Sequence, residues 1–303
     1  MKKECTLIAT IPSLSNIRNI SKIFNEKNIT EARYNTGVRS PYSPYDSLKK
    51  LQEIANYHGK KLWVDIKGRQ LRINSWADPL YECVELNHEI KVDLPAKIFF
   101  RNGTSCDITH IDGNKLFLSE PPREALGKGQ SINILGENLK IQGEYLTELD
   151  KKYLKACKEL HISNIMASYV EDESDIDEIS RIIDLKPECF CAKIESERGL
   201  TFILNHSFSF SAMAARDDMY IELEENYKKM IEALKLIAVY DTNAICASRI
   251  FLSLERKNVP DFSDFEDLEM MYALGYRRFM LCDNICNYAF EKAISAWEVF
   301  TGA

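Results

Sequence analysis

The sequence predicts an α/β protein, a (β/α)8 (TIM) barrel with a small all-β lid domain inserted after its third strand. Two observations predict this. Short apolar runs alternate with helical stretches from Glu4 to Ile66 and again from Leu146 to Phe300, making eight strand-helix pairs. Such alternation implies parallel strands joined by right-handed crossovers. Between Asn74 and Tyr145 the rhythm changes to short alternating runs divided by turn signals, the pattern of antiparallel hairpins.

In chain order, Glu4 to Ile11 reads as the first strand, broken by Pro12-Ser13, with a helix from Ser15 to Asn25. Glu31 to Asn35 is the second strand. Leu48, Leu51, Ile54 and Ala55 then recur at helical spacing between Pro44 and His58, and Lys61 to Ile66 is the third strand. Inside the insertion, Lys97 to Phe100 and Lys115 to Ser119 are strand-like. Asn102-Gly103, Asp112-Gly113, Pro121-Pro122 and Gly127-Lys128-Gly129 supply turns. Thr147 caps a helix reaching Leu160, and strands follow at Asn164 to Ser168, Cys189 to Ala192, Phe208 to Ala215, Thr242 to Ala247 and Arg278 to Cys282. Helices are expected over Glu173 to Ile183, from near Gly199, as one long element between Glu222 and Ala238, over Phe262 to Leu274, and as a final element to Phe300. The domain assignment is barrel over residues 1–73 and 146–303 and insertion over residues 74–145.

At 303 residues, 45% hydrophobic and 28% charged, the chain can bury a sizeable core. No apolar run reaches about 18 residues, and Met1-Lys2-Lys3-Glu4 does not open a signal sequence, so a cytoplasmic protein is expected. The net charge of -7, without a basic stripe, argues against nucleic-acid and membrane-surface partners. Nine scattered cysteines read as small buried apolar residues. His58, His88, His110, His161 and His206 lack metal-ligand spacing, and Trp63, Trp76 and Trp297 read as packing residues.

Charges gather where two strands exit into loops: Lys193 and Glu195 after one, and Arg216, Asp217 and Asp218 after the next. Parallel α/β folds build their sites at such exits. Lys193 and Glu195 are two apart, so on a strand they share a face. Glu195 and Asp218 converging beside a lysine would suit Mg²⁺ or Mn²⁺ that takes its remaining oxygens from water and an anionic substrate. On spacing alone, an ordinary salt bridge serves equally well.

The same residues carry a family resemblance. Ala192-Lys193-Ile194-Glu195, Ala215-Arg216-Asp217-Asp218 and Ile245-Cys246-Ala247-Ser248-Arg249 resemble, in order, the Lys-Ile-Glu, Ala-Arg-Gly-Asp and Ile-Cys-Ala-Thr-Gln segments of pyruvate kinases. Leu146 to Asp150 and Ala167 to Val170 are similar to that family's Leu-Thr-Glu-Lys-Asp and Ala-Ser-Phe-Val. The resemblance implies that Lys193 stabilises negative charge as phosphoryl leaves phosphoenolpyruvate, and that Glu195 and Asp218 hold the divalent metal. The backbone around Arg216, Asp217 and Asp218 would receive the substrate carboxylate, and Ser248 would position a proton donor. It further implies that Arg33 contacts the transferred phosphate, that Asn35 and Asp65 belong to a K⁺ site, and that Arg72 faces nucleotide phosphates of ADP or ATP. The family continues into a further α/β domain absent here, which implies a monomer or homodimer.

Departures from the pattern shape the functional expectation. Thr36-Gly37-Val38 stands for Ser-His-Gly, Ile66 for a threonine, Asp217 for a glycine, and Cys282-Asp283-Asn284-Ile285-Cys286 for Ser-Gly-Glu-Thr-Ala. K⁺ and nucleotide positions are thus depleted, while the metal, lysine and phosphate-arginine positions remain. The expected function is metal-dependent phosphoryl transfer between a phosphoenolpyruvate-like or pyruvate-like acid and a nucleotide, through an enolate. Two alternatives stand beside it. One is a nucleotide-independent lyase, aldolase or hydrolase acting on a 2-oxo acid, and the other a non-catalytic phosphoenolpyruvate-binding protein.

Overall fold

The structure, a computed structural model, describes residues 3–38, 40–75, 83–100, 103–123, 126–205 and 210–302. Trp76, Asn102, His206 and Phe208, named above, lie outside them. The chain divides into two units, one of residues 1–66 and 148–303, the other of residues 67–147.

The larger unit opens with β1 (Thr6–Thr10), α1 (Ile17–Asn25), β2 (Ile29–Asn35), α2 (Pro44–Tyr57) and β3 (Lys61–Ile66). The second unit supplies β4 (Cys83–Glu85), β5 (Ile90–Lys91), β6 (Ala96–Phe100), β7 (Ser105–Asp112), β8 (Lys115–Leu118), β9 (Ile132–Leu135) and β10 (Lys140–Ile141). The first unit then resumes with α3 (Glu148–Glu159), β11 (Ile165–Ala167), α4 (Glu173–Ser180), β12 (Phe190–Ile194) and α5 (Glu197–Asn205). It ends with β13 (Ser211–Ala215), α6 (Arg216–Glu222), α7 (Tyr227–Tyr240), β14 (Ile245–Ala247), α8 (Phe262–Leu274), β15 (Arg278–Leu281), α9 (Asp283–Tyr288) and α10 (Phe290–Thr301).

Eight parallel strands close into a barrel in the order β1, β15, β14, β13, β12, β11, β3, β2. The (β/α)8 fold class read from the sequence is the one observed. Local chemistry sets the element ends. Ser43 caps α2, its hydroxyl accepting from the Asp46 amide at 3.1 Å, and Pro44 occupies the first turn where no amide partner is needed. Leu48, Leu51 and Ala55 then fall on the buried face.

The long helix expected between Glu222 and Ala238 starts only at Tyr227, as α7, and a separate short helix, α6, precedes it and ends at Glu222. Glu224 and Glu225 adopt left-handed φ values of 58° and 54°, and the Asn226 side chain accepts from the Lys228 and Lys229 amides, starting α7 afresh. A short polar side chain that bonds the backbone locally competes with helix continuation. The last helix is likewise divided, at Ala289.

Strand periodicity sorts the barrel interior into layers. Ile8, Trp63, Met166, Cys191, Met213, Ile245 and Met280 form one buried apolar cluster. Ala247 belongs to the same cluster. Two residues beyond Ile8, Trp63, Met166, Cys191 and Met213, on the same face, stand Thr10, Asp65, Ser168, Lys193 and Ala215. On β2 the inward positions are Glu31, Arg33 and Asn35, while Tyr34 turns outward, its hydroxyl 3.2 Å from that of Tyr153 on α3. The C-terminal end of the barrel is therefore polar above an apolar floor. Trp297 packs against Phe279 and Phe300 outside the strands.

The second unit holds a five-stranded antiparallel sheet in the order β4, β8, β7, β6, β9, and a two-stranded pair of β5 and β10. Ile98, Phe100, Ile108, Leu116, Ile132 and Ile134 belong to its own core. Gly68 takes φ +49°, and a β-carbon there would collide with the ring of the fully buried Tyr145. Gly68→Ala is expected to destabilise this unit by about 2–4 kcal/mol, combining left-handed strain with overpacking. Chemical denaturation checks this, and an unchanged midpoint would mean that Tyr145 yields.

Candidate active site

Four ionisable side chains meet at the C-terminal end of the barrel: Arg33 from β2, Asp65 from β3, Lys193 from β12 and Glu195 just past it. All are buried. Arg33 Nε donates to Asp65 Oδ2 at 2.8 Å, with a second, shorter bond from Nη2, and Nη1 donates to Thr10 Oγ1 at 3.2 Å. Lys193 Nζ donates to Ser168 Oγ at 2.7 Å and lies 3.5 Å from Asp65 Oδ2. Ser168 in turn donates to Asp65 Oδ1 at 3.3 Å.

Glu195 is held by one oxygen only. Its Oε2 accepts the Tyr169 amide at 2.7 Å, and its Oε1 is 3.2 Å from Lys193 Nζ without hydrogen-bond alignment. Buried Oε1 accepts no hydrogen bond. An unsatisfied carboxylate oxygen in the interior is costly, and it leaves a lone pair ready for a cation. Burial pushes the Glu195 carboxyl above its ordinary range, Lys193 pulls it down, and Asp218 and Asp65 push it up again. Burial also works against the Lys193 ammonium, but Asp65 and Glu195 outweigh it and raise its pKa.

The short helix α6 presents three faces. Arg216, Met219 and Leu223 are buried. Asp218 and Glu222, four apart, act on the buried Tyr169 phenol, which burial and then these carboxylates hold well above its ordinary pKa. Asp218 thereby stands within electrostatic reach of Glu195, Lys193 and Tyr169. On the remaining face, Asp217 Oδ1 accepts from Arg249 Nε at 3.0 Å.

Arg216 is a brace. Its guanidinium donates to both oxygens of Asp267 on α8, at 2.6 and 2.8 Å, to the Ala247 carbonyl at 3.2 Å and to the Ser248 carbonyl. Ser248 is left-handed (φ 66°), and its hydroxyl bonds to no described residue. Asn35 donates to Asp283 Oδ2 at 3.4 Å and accepts the Gly37 amide at 3.0 Å. Arg72 belongs to the second unit, where Nε and Nη2 donate to Gln70 Oε1 at 3.1 and 2.6 Å and Nη1 donates to the Gly129 carbonyl.

Lys193, Glu195, Asp218, Arg33 and Asp65 are thus brought into one electrostatic neighbourhood, whereas the Arg216 side chain is turned to α8. Residues without a role in the sequence reading join them. Ser168 anchors Lys193, Thr10 anchors Arg33, and Asp283 Oδ2 lies 3.5 Å from Arg33 Nη1. Ser168 and Asp283 lay in segments already compared with the family pattern, without a role given to them, and Thr10 had only its strand-end position as a signal. Among the described residues no three His, Cys, Asp or Glu side chains gather as a metal site. The orphaned Glu195 oxygen and the nearby Asp218 nonetheless fit a divalent ion of the kind that binds one or two protein carboxylates and keeps its waters. K⁺ does not fit: the Asp65 carboxylate is engaged by Arg33 and Lys193, and Ile66 offers no side-chain oxygen.

The family description "Pyruvate kinase, barrel domain" matches residues 89–283. That span takes in Lys193, Glu195, Arg216 to Asp218 and Ser248, while Arg33, Asn35, Asp65 and Arg72 precede it. No protein of curated function matches the chain. With well over half of its residues inside that match and an eight-stranded parallel barrel beneath them, the chain belongs to the pyruvate kinase family.

Proposed function

We propose that the protein is a metal-dependent phosphotransferase acting between a phosphoenolpyruvate-like acid and a nucleotide, through an enolate. The observation that carries this reading is the buried Lys193 ammonium, fixed by Ser168 at 2.7 Å beside the unbonded Oε1 of Glu195. A charge already oriented inside a low-dielectric pocket needs no reorganisation as the enolate forms, and such preorganisation often dominates catalysis. Glu195 and Asp218 would hold Mg²⁺ or Mn²⁺, which when bound would polarise the enolate oxygen. Lys193 neutralises the developing negative charge from its own side. Ser248, with its hydroxyl free of bonds to described residues, would position the proton donor for the enol carbon. The amides at Asp217 and Asp218 would face the acid's carboxylate, and the pairing of Asp217 with Arg249 tempers the repulsion that an added carboxylate would bring.

A second reading is favoured by Arg33. Its guanidinium is engaged by Asp65 and Thr10 and lies beside Asp283, so the phosphate-binding cation is largely neutralised within the protein. The same lysine and carboxylates would then serve enolate chemistry on a 2-oxo acid without phosphoryl transfer.

Protein mixed with Mg²⁺, phosphoenolpyruvate and each nucleoside diphosphate in turn is expected to release pyruvate, and Lys193→Met to slow that release by about 100- to 1,000-fold. Absence of turnover with every nucleotide removes the phosphotransferase reading; metal-dependent exchange of pyruvate methyl protons into D₂O would then support the second. Titration of Mn²⁺ in the presence of oxalate should show one site, weakened at least about tenfold by Glu195→Gln or Asp218→Asn. Unchanged Mn²⁺ affinity in both variants would place the ion elsewhere.

A further inference from the structure

The chain leaving β14 makes an unusual turn. Ser248 and Arg249 are both left-handed, at φ 66° and 62°, a region that disfavours each non-glycine residue by roughly 1–2 kcal/mol. Arg216 holds the turn by donating to the carbonyls of Ala247 and Ser248. The turn carries the Arg249 side chain onto α6. There Nε donates to Asp217 Oδ1 at 3.0 Å and the guanidinium stands 5.4 Å from the centre of the Tyr220 ring. Asp217 and Tyr220 are three apart and share a helix face.

A guanidinium has five N–H donors, and Arg249 uses one of them. Neither terminal nitrogen donates to any described residue, and the side chain is 47% exposed. The result is a tethered cation with its fork unspent. Where the resembled pattern has a glycine and a glutamine, positions 217 and 249 carry opposite charges that meet each other. Asp217 adjoins Asp218 and Arg249 adjoins Ser248 in the chain, so the backbone ties this ion pair directly to two residues of the small-acid site.

We propose that Arg249 reads a second acidic group of the substrate, a carboxylate or phosphate-type oxyanion carried beyond the 2-oxo or enol carboxylate. The substrate is then an acid with an anionic substituent, and Asp217 and Tyr220 hold the arginine ready for bidentate contact. This rests on Lys193, Glu195 and Asp218 forming a 2-oxo-acid site.

Calorimetry on the Mn²⁺-loaded protein tests it with matched acids. 2-Oxoglutarate is compared with 2-oxovalerate for a carboxylate, and 3-phosphonopyruvate with pyruvate for a phosphonate; oxalate serves as the reference ligand. In at least one pair the more acidic member is expected to bind about tenfold tighter, close to what one charge-assisted contact supplies. The pair with the larger ratio identifies the oxyanion. Arg249→Gln should bring that ratio to about one, and Arg249→Lys, which keeps the charge but not the fork, should retain only part of it. Ratios near one in the unsubstituted protein, or a ratio that survives Arg249→Gln, overturn the proposal. Failure of oxalate to bind with Mn²⁺ would overturn the 2-oxo-acid site itself, and the proposal with it.

Discussion

Four buried charges at the end of the barrel, Arg33, Asp65, Lys193 and Glu195, depend on one another. Two are cationic and two anionic, and each pair brings hydrogen bonds from neutral neighbours: Thr10 for Arg33, Ser168 for Lys193 and Asp65, the Tyr169 amide for Glu195. Isolated charges are not tolerated in such surroundings, but a balanced and bonded set is. Within this set the hydrogen bonding is incomplete at one atom, Glu195 Oε1, which has the Lys193 ammonium 3.2 Å away but accepts no hydrogen bond.

Barrel geometry brings this set together from distant parts of the sequence. Inward positions recur every second residue along each strand, so an apolar floor of Ile8, Trp63, Met166 and Cys191 forces Thr10, Asp65, Ser168 and Lys193 into one layer above it. Strand β2 departs from the rule by placing only polar residues inward. Glu31 pairs with Arg278 at 2.9 Å at the opposite end, and Arg33 and Asn35 face the candidate site. Without a bulky apolar side chain from β2, the interior accommodates the guanidinium. Helix α6 completes the arrangement by distributing consecutive residues over three faces, so that Arg216, Asp217 and Asp218 reach α8, Arg249 and the neighbourhood of Glu195 respectively.

The positions where the family pattern is lost acquire a physical meaning here. Asp65, matched by resemblance to a K⁺ ligand, serves Arg33 and Lys193 instead, so internal cations stand where a monovalent ion would have to compete. Asp283, where the pattern has glycine, adds a carboxylate facing Arg33 and Asn35. Asp217 and Arg249 exchange two neutral positions for an ion pair. These are changes of charge around a retained lysine and carboxylate pair.

Strand-helix alternation made the barrel legible from the sequence, because the period of apolar residues is a local property that parallel strands and their covering helices both impose. Lys193, Glu195 and Asp218 were legible for a related reason, since charge at a strand exit stands out against the apolar run before it. The breaks at Glu224-Glu225 and Ala289 were not, because they turn on left-handed backbone and on the Asn226 cap, which an apolar pattern runs straight through. The roles of Ser168, Thr10 and Asp283 were equally hidden, although Ser168 and Asp283 lie in segments that could be set against the family pattern. A serine, a threonine and an aspartate carry no periodic signal, and only closure of the barrel sets them beside charges far away in the chain. Composition and period determined which elements form and which ends bear charge; tertiary structure alone decided which charges neutralise each other, because Coulomb energy in a buried site depends on distances of a few ångströms that no linear spacing encodes.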